Sequence, residues 1–186
     1  MGDLVLVIAE MEDGAPKKIT HELLTAAQEV AGELEYDVAV AVLGEELDAD
    51  ELASDLGARG AETVYVLDDE ALADYAVEPY SAALQQLIEE EEPEIVLFGM
   101  TPIGRDLAPA VAGKLEAGLA SDITGLSVED GELLITRPMY AGQVIATVKV
   151  NGSPVLATVR ANTWPVAEAD GDDEAEVEEV ELDDLP

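Results

Sequence analysis

The chain has 186 residues, of which 48% are hydrophobic, and 43 acidic residues against 8 basic ones give a formal net charge of −35. This length and hydrophobic content suffice for one core, so we expect a single domain followed by an acidic tail. Cysteine is absent, which excludes disulfides, thiolate metal sites and cysteine nucleophiles. Nucleic acid and anionic membranes are disfavoured as partners, because so negative a surface repels both.

The acidic surplus is spread along the whole chain. Leaving out residues 170–186 removes ten acidic residues and no basic one, so most of the negative charge lies elsewhere. Concentrated salt screens self-repulsion of this size, and we therefore expect a halophilic protein. The amino terminus shows no basic region or cleavage site, and the apolar runs are too short to cross a bilayer. These features favour a cytoplasmic location.

Strands and helices alternate in the first part of the chain. Continuous apolar runs indicate buried strands, whereas apolar residues at three- and four-residue spacing indicate helices that pack on a sheet. Such an alternation predicts a parallel sheet with helices on both faces. The strands are predicted at residues 4–9, 37–43, 63–67 and 94–98, and the helices at residues 23–34, 48–56, 82–88 and 104–115.

The pattern changes after residue 120. Residues 124–128 and 133–136 flank a Glu-Asp-Gly turn, and residues 143–150 and 154–160 flank Asn151-Gly152. Asn-Gly between two apolar runs is typical of a β-hairpin. The sequence therefore predicts an α/β fold, a Rossmann-like parallel sheet with helices on both faces plus added antiparallel strands in the second half.

The composition becomes polar and acidic after Pro165. Residues 174–182 partly alternate between apolar and acidic side chains, a pattern that forms an edge strand where a partner supplies an edge. For the isolated chain we expect disorder in this segment. The predicted division is a domain at residues 1–166 and an acidic linker or tail at residues 167–186.

A glycine-bearing turn follows the strand at residues 94–98 and precedes a helix. Turns of this kind present free backbone N–H groups at the carboxyl edge of a sheet, where open α/β domains hold anionic ligands. The candidate groups for binding a phosphate are Gly99, Thr101, Gly104 and Arg105. Two alternatives stay open: the glycines only relieve a tight turn, and Arg105 forms a salt bridge with Asp106 or with a carboxylate of a partner chain.

Four segments that follow this turn carry a family resemblance. Their sequences are VAGKL at residues 111–115, SDITG at residues 121–125, RPMYAGQVIATVK at residues 137–149 and ATVRANTWP at residues 157–165. In this order they resemble the amino-terminal domain of the electron transfer flavoprotein α-subunit family. The first half of the chain fits the same fold without distinctive motifs.

The resemblance implies a role in a flavin-dependent electron carrier. In that family an α and a β subunit form a heterodimer that accepts electrons from dehydrogenases and passes them to a quinone reductase. Flavin adenine dinucleotide (FAD) is held mainly by a carboxyl-terminal α domain, whose glycine-, arginine- and serine-rich motifs have no counterpart here. Residues 167–186 would then lead to that absent flavin-binding domain.

The resemblance also assigns roles to individual residues. The loop at residues 99–106 matches the place where the related domain of the β subunit binds an adenine nucleotide. In the α subunit this place is generally not a dedicated nucleotide site. The resemblance therefore implies that the loop is a vestigial nucleotide loop. Arg137, Tyr140 and Arg160 lie in the matched motifs and are expected at an interface with the β subunit or the flavin domain. For Arg137 and Arg160, simple solvation of the strand ends stays open as the alternative.

Catalytic chemistry finds no support in the sequence. Neither a nucleophile elbow, a Walker loop nor a dinucleotide-binding glycine motif is present, so we expect an electron-carrier component without catalytic residues of its own. The alternative function, from another class, is a stand-alone nucleotide-binding module that resembles universal stress proteins and uses residues 99–105 for ATP.

Overall fold

The computed structural model describes residues 2–170 and 173–186, and these contain four α-helices, one 3₁₀-helix at Glu70–Leu72 and twelve strands. The helices are α1 Lys18–Leu34, α2 Ala49–Gly57, α3 Val77–Glu91 and α4 Pro102–Lys114. The strands are β1 Gly2–Ile8, β2 Met11–Glu12, β3 Ala15–Pro16, β4 Asp37–Gly44, β5 Thr63–Asp68, β6 Pro93–Gly99, β7 Gly118–Ile123, β8 Gly125–Glu129, β9 Glu132–Met139, β10 Val144–Val148, β11 Val155–Val159 and β12 Glu176–Glu179.

Seven of the strands form one sheet in the order β12-β5-β4-β1-β6-β11-β7, and every pair in it is parallel. Successive side chains of a strand point to opposite faces, and both faces of this sheet are apolar. Val5 and Val7 pack with Leu23 of α1 in one core layer, whereas Leu6 and Ile8 share the other layer with α3 and α4. The predicted α/β fold with a parallel sheet is confirmed.

The prediction of hairpins in the second half is half right. β8 and β9 pair antiparallel around the Glu-Asp-Gly turn, as expected. Asn151-Gly152 joins no hairpin, because β10 pairs with β9 whereas β11 inserts between β6 and β7 in the parallel sheet. Leu156 and Val159 are fully buried there. β11 lies in the parallel sheet because its side chains are buried on both faces. The Asn-Gly turn therefore connects β10 of the three-stranded sheet to β11 of the parallel sheet.

The acidic tail is ordered in part. β12 pairs parallel with β5, so β5 of the same chain supplies the edge, and the expectation of disorder is wrong for residues 176–179. The backbone of Ala175 lies so close to α2 that a β-carbon at Gly57 would come within 2.2 Å of its nitrogen. Residues 171–172 of the tail lie outside the described residues. The division between residues 166 and 167 stays a prediction.

The three-stranded sheet β10-β9-β8 extends from the main body. Its first part is anchored in the core through Ile135 and Leu126, which are 0% and 9% exposed. The far end, residues 138–145, carries large hydrophobic side chains in solvent, and we call it the arm. The exposed apolar residues of the arm are Met139, Tyr140, Val144 and Ile145.

Candidate functional site

The turn between β6 and α4 is shaped by close backbone packing. Thr101 is the N-cap of α4, and its Oγ1 accepts a hydrogen bond of 3.1 Å from the N–H of Gly104. A β-carbon at position 104 would lie 1.8 Å from the carbonyl oxygen of Gly99, which no relaxation of a side chain can relieve. Gly104 therefore lets the helix approach the end of β6, and this close approach accounts for the glycine without a ligand.

A buried carboxylate lies beside this turn. Glu10 follows β1, is only 7% exposed, and its Oε1 accepts a hydrogen bond of 2.5 Å from the hydroxyl of Thr101. The backbone N–H of Glu10 donates to the Thr20 hydroxyl oxygen, which fixes the residue further. Burial raises the pKa of Glu10, against the opposing effects of the Thr101 hydrogen bond and the charge of Lys17. Two of the predicted phosphate donors, Thr101 and the Gly104 amide, thus have partners within the chain.

A cavity of about 320 Å³ opens next to Glu10 at the carboxyl ends of β1, β4 and β6. Its wall is apolar and aromatic, with Tyr75, Tyr80 and Phe98, and no cationic side chain is among its lining residues. The carboxylates around it are those of Glu10, Glu12, Asp13, Glu45 and Asp74. A phosphate in this cavity would meet negative charge, and the nearby Lys17 and Lys18, beside Thr101, are already paired with Glu12 and Glu22. We refer to the cavity together with the turn as the crevice.

Arg105 does not complete the crevice. It makes no ion pair with any residue of the described ranges, and Asp106 accepts a hydrogen bond of 2.9 Å from the Tyr75 hydroxyl. The alternative of an Arg105–Asp106 salt bridge is therefore wrong. The charge of Arg105 acts on Asp122, at the end of β7.

Asp122 is the centre of a second polar cluster. Arg160 donates to both of its carboxylate oxygens, at 2.9 and 2.6 Å, and the N–H of Asp122 donates to the Thr158 hydroxyl at 2.8 Å. The hydrogen bonds from Arg160 are the main cause that lowers the pKa of Asp122, and the charges of Arg105 and Arg137 lower it further.

Arg137 connects this cluster to the arm. It lies on β9 between Ile135 and Met139, so the three side chains share one face of the strand. Its Nε–H is buried and has no acceptor among the described residues. Tyr140, at the tip of the arm, is 74% exposed and has a left-handed φ of 50°.

The predicted site residues thus fall into two groups. The residues predicted for an interface, Arg137, Tyr140 and Arg160, lie on the arm and at its base. The residues predicted for a nucleotide, Gly99, Thr101 and Gly104, lie in the crevice, and their binding of a ligand stays a prediction. Sequence reasoning missed Glu10, although a carboxylate directly after a buried parallel strand is a recognisable signal of the carboxyl edge.

Residues 2–170 and 173–186 contain neither a metal-binding cluster nor a membrane-spanning helix. No group of three or more histidine, aspartate or glutamate side chains is arranged there to hold a metal ion. Within the same ranges, none of the helices combines the length and the hydropathy that a membrane span requires.

Comparisons with known proteins connect this geometry to a family. The family model for the electron transfer flavoprotein domain matches residues 5–185. The chain is 38% identical over 146 residues to an electron transfer flavoprotein subunit alpha of Thermoanaerobacterium thermosaccharolyticum, which covers 78% of this chain and 44% of the relative. The alpha subunit of Bacillus subtilis is 35% identical over 148 residues, covering 80% and 44%.

A third relative carries a different name. Protein FixB of Azorhizobium caulinodans is 38% identical over 146 residues, which cover 77% of this chain and 40% of the relative. The chain spans less than half the length of these curated relatives. From the family model and these identities we conclude that the chain belongs to the electron transfer flavoprotein family and is similar to its alpha subunits.

Proposed function

We propose that this chain is the scaffold domain of an electron transfer flavoprotein alpha subunit and docks a β subunit through the arm. The complex would carry electrons between dehydrogenases and a quinone reductase by means of a bound flavin. The observation that carries the docking proposal is the exposed apolar end of the β9–β10 hairpin.

The arm has the properties of an interface. Ile145 is 64% exposed and Tyr140 is 74% exposed, although the rest of the surface is dominated by carboxylates. Contiguous apolar side chains in solvent are unfavourable, and tyrosine and methionine are enriched where proteins meet. β10 is moreover one of the two edge strands of its sheet, so its outer backbone groups are available to a partner.

The crevice supports a scaffold role rather than a cofactor site. The pyrophosphate of FAD needs donors and positive charge. The Thr101 hydroxyl and the Gly104 amide are already bonded, the cavity is lined by carboxylates, and the two lysines beside Thr101, Lys17 and Lys18, are paired with Glu12 and Glu22. The residues of the crevice do not fit this group. We infer that FAD is bound by another part of the complex and that this chain contributes no catalytic residue. A cytoplasmic location stays a prediction.

A stand-alone nucleotide-binding module is the second candidate, and one observation favours it. The cavity lies at the carboxyl ends of β1 and β6, where open α/β sheets bind ligands. The carboxylates that line the cavity would repel the phosphates of ATP, which argues against ATP as the ligand. Specific binding of ATP by the chain alone, measured by calorimetry, would support this second function over the first.

The test of the docking proposal is complex formation with the β subunit. We expect the chain to co-elute with the β subunit in gel filtration and to be colourless when alone. Ile145→Glu, which places a charge in the arm, should weaken the complex by about 10- to 100-fold, because hydrophobic contacts at the centre of an interface carry most of its energy. Ser54→Glu adds the same charge to the exposed side of α2 and is the control that should bind like the wild type.

Two results would contradict the proposal. Failure of the wild-type chain to bind the β subunit would remove its basis. Flavin absorbance that stays with the lone chain through gel filtration would show that the cofactor site lies within these residues.

A further inference from the structure

The direction of the backbone groups in the three-stranded sheet follows from one hydrogen bond. The N–H of Thr124 donates to the carbonyl of Thr136, so the backbone groups of Thr136 point from β9 towards β8. In an antiparallel ladder this direction alternates from residue to residue. The N–H and C=O groups of the next residue, Arg137, therefore point towards β10, where Ala146 lies opposite.

β10 consequently has an outer edge without a partner strand. The N–H and C=O groups of Ala146 face β9, whereas those of its neighbours Ile145 and Thr147 point away from it. No backbone hydrogen bond joins these outward groups to any residue of the described ranges. Ile145 is 64% exposed, and Thr147 is exposed as well. We call the outward groups of Ile145 and Thr147 the β10 edge.

The other edges of the two larger sheets are protected, as native proteins usually protect exposed edges. β12 carries three carboxylates in four residues. β7 contains Asp122 with a left-handed φ of 59°, and its register with β11 is irregular between Ala157 and Val159. β8 contacts α1, and its Leu126 lies in the core. Each of these three edges is thus charged, irregular or covered.

The β10 edge has none of these protections. The sequence of β10 is VIATV, without a charged residue, proline or glycine, and its register with β9 is regular from Val144 to Val148. No acidic residue occurs at residues 133–167, although 43 of the 186 residues are acidic. A regular, uncharged edge is a template for pairing with another chain, and charged residues are depleted where proteins meet.

We propose that an extended segment of the β subunit adds to the β10 edge as a further strand of this sheet. This inference rests on the proposed function and specifies how the arm is bound: backbone hydrogen bonds to Ile145 and Thr147 fix the register, and apolar side chains of the segment cover those of the arm. A second copy of the chain is disfavoured at this edge, because two chains of net charge −35 repel each other.

The first experiment compares two substitutions at position 147 by calorimetry with the β subunit. Thr147→Pro removes the outward N–H, so a carbonyl of the added strand loses its donor, and affinity should fall by at least about 30-fold. Thr147→Ala removes only the side chain and keeps the N–H, and it should weaken binding by less than about 5-fold. Equal affinities of the two variants would overturn strand addition.

Melting temperatures of the lone chain separate binding from folding. Proline is tolerated on an edge strand where the N–H faces outward, so Thr147→Pro should stay within about 3 °C of the wild type. Ala146→Pro, at the neighbouring position, removes an N–H that faces β9 and should lower the melting temperature by more. The opposite order of the two variants would refute the assigned direction of the backbone groups and overturn the inference.

Amide hydrogen exchange of the wild-type chain gives a readout that needs no variant. In the lone chain the amides of Ile145 and Thr147 should exchange faster than the amide of Ala146. Addition of the β subunit should slow the exchange of Ile145 and Thr147 by at least about 10-fold. A complex in which both amides exchange as fast as in the lone chain would contradict strand addition.

The outcomes also distinguish strand addition from the docking proposal. Loss of binding in Ile145→Glu, together with equal affinities of Thr147→Pro and Thr147→Ala, would keep the arm as the docking site and overturn strand addition. Absence of binding by the wild-type chain would overturn both. A dimer of the lone chain in gel filtration that Thr147→Pro abolishes would overturn the assignment of the edge to the β subunit, because a second copy would then occupy it.

Discussion

The crevice and the arm differ in where their polar and apolar groups find partners. In the crevice, Glu10 and Thr101 satisfy each other at 2.5 Å, and Gly104 packs against the backbone of Gly99. On the arm, Ile145 stays in solvent and the buried Nε of Arg137 has no acceptor among the described residues. The polar groups of the crevice thus find their partners within one chain, whereas the docking proposal rests on the apolar side chains that the arm leaves in solvent.

The crevice and the base of the arm also differ in how the pKa of their central carboxylate, Glu10 or Asp122, is shifted. Burial raises the pKa of Glu10, because desolvation penalises its ionised form. The hydrogen bonds from Arg160 lower the pKa of Asp122, because they stabilise its ionised form. Crevice variants are therefore expected to change stability, and variants of the arm and its base to change docking.

The largest effect is expected for Gly104→Ala. The new β-carbon would lie 1.8 Å from a backbone oxygen, so α4 has to move away from β6, and we expect a loss of about 3 kcal/mol in the free energy of unfolding. Gly113→Ala on the same helix meets nothing within 4 Å and should stabilise the chain by up to about 1 kcal/mol. Denaturant unfolding of both variants is the measurement, and equal effects would refute the close approach as the reason for Gly104.

Thr101→Val comes next. Valine has the shape of threonine without the hydroxyl, so the variant loses the cap of α4 and leaves the Glu10 carboxylate without its donor. We expect thermal unfolding to report a loss of about 2 kcal/mol. Thr101→Ser keeps the hydroxyl and should lose less than half as much. The assignment of these bonds fails if the serine variant is as unstable as the valine variant.

Glu10→Gln tests the crevice through pH. The pKa of Glu10 is raised from its ordinary value of 4.5, so the folded chain holds a proton that the unfolded chain releases. The wild type should therefore lose stability relative to Glu10→Gln as the pH rises from 4.5 through the raised pKa. Unfolding free energies of both proteins in the same salt give the difference. A difference that does not vary with pH would contradict the burial of an ionisable Glu10.

The smallest effect is expected for Arg160→Gln, at the base of the arm. The pKa of Asp122 is lowered from 3.8, so its contribution is present above pH 3.8 and is lost as the pH falls through the lowered pKa. The variant should lose this acid dependence. The change is small, because the side chains of Arg160 and Asp122 are 47% and 30% exposed and solvent screens the pair. Acid titration of the two proteins checks it, and identical curves would exclude a folded-state role of the pair.

Local sequence patterns predicted the strands whose side chains are buried on both faces of the sheet. The strands at residues 37–43, 63–67 and 94–98 are continuous apolar runs, which a parallel sheet covered on both faces requires. β7, with the sequence GLASDI, was not predicted as a strand, because it has too few apolar residues to show a pattern. Asn151-Gly152 misled the prediction since a turn sequence does not specify which strands it joins.

The candidate site was predictable only in part, for the same reason. The resemblance pointed to Arg137, Tyr140 and Arg160, but their relation to Asp122 depends on contacts such as Arg160–Asp122 across 38 residues. The hydrogen bond between Thr101 and Glu10 spans 91 residues. No short-range pattern reports such distances.

The sequence by itself determined the class of the fold, the negative surface and the family, because these follow from composition, hydrophobic periodicity and motifs read along the chain. Only the tertiary structure decided that Glu10 occupies the crevice, that β12 pairs with β5, and that Arg160 pairs with Asp122 at the base of an exposed arm. These features depend on contacts between residues that are far apart in the sequence, and such contacts form only when the elements pack around a common core.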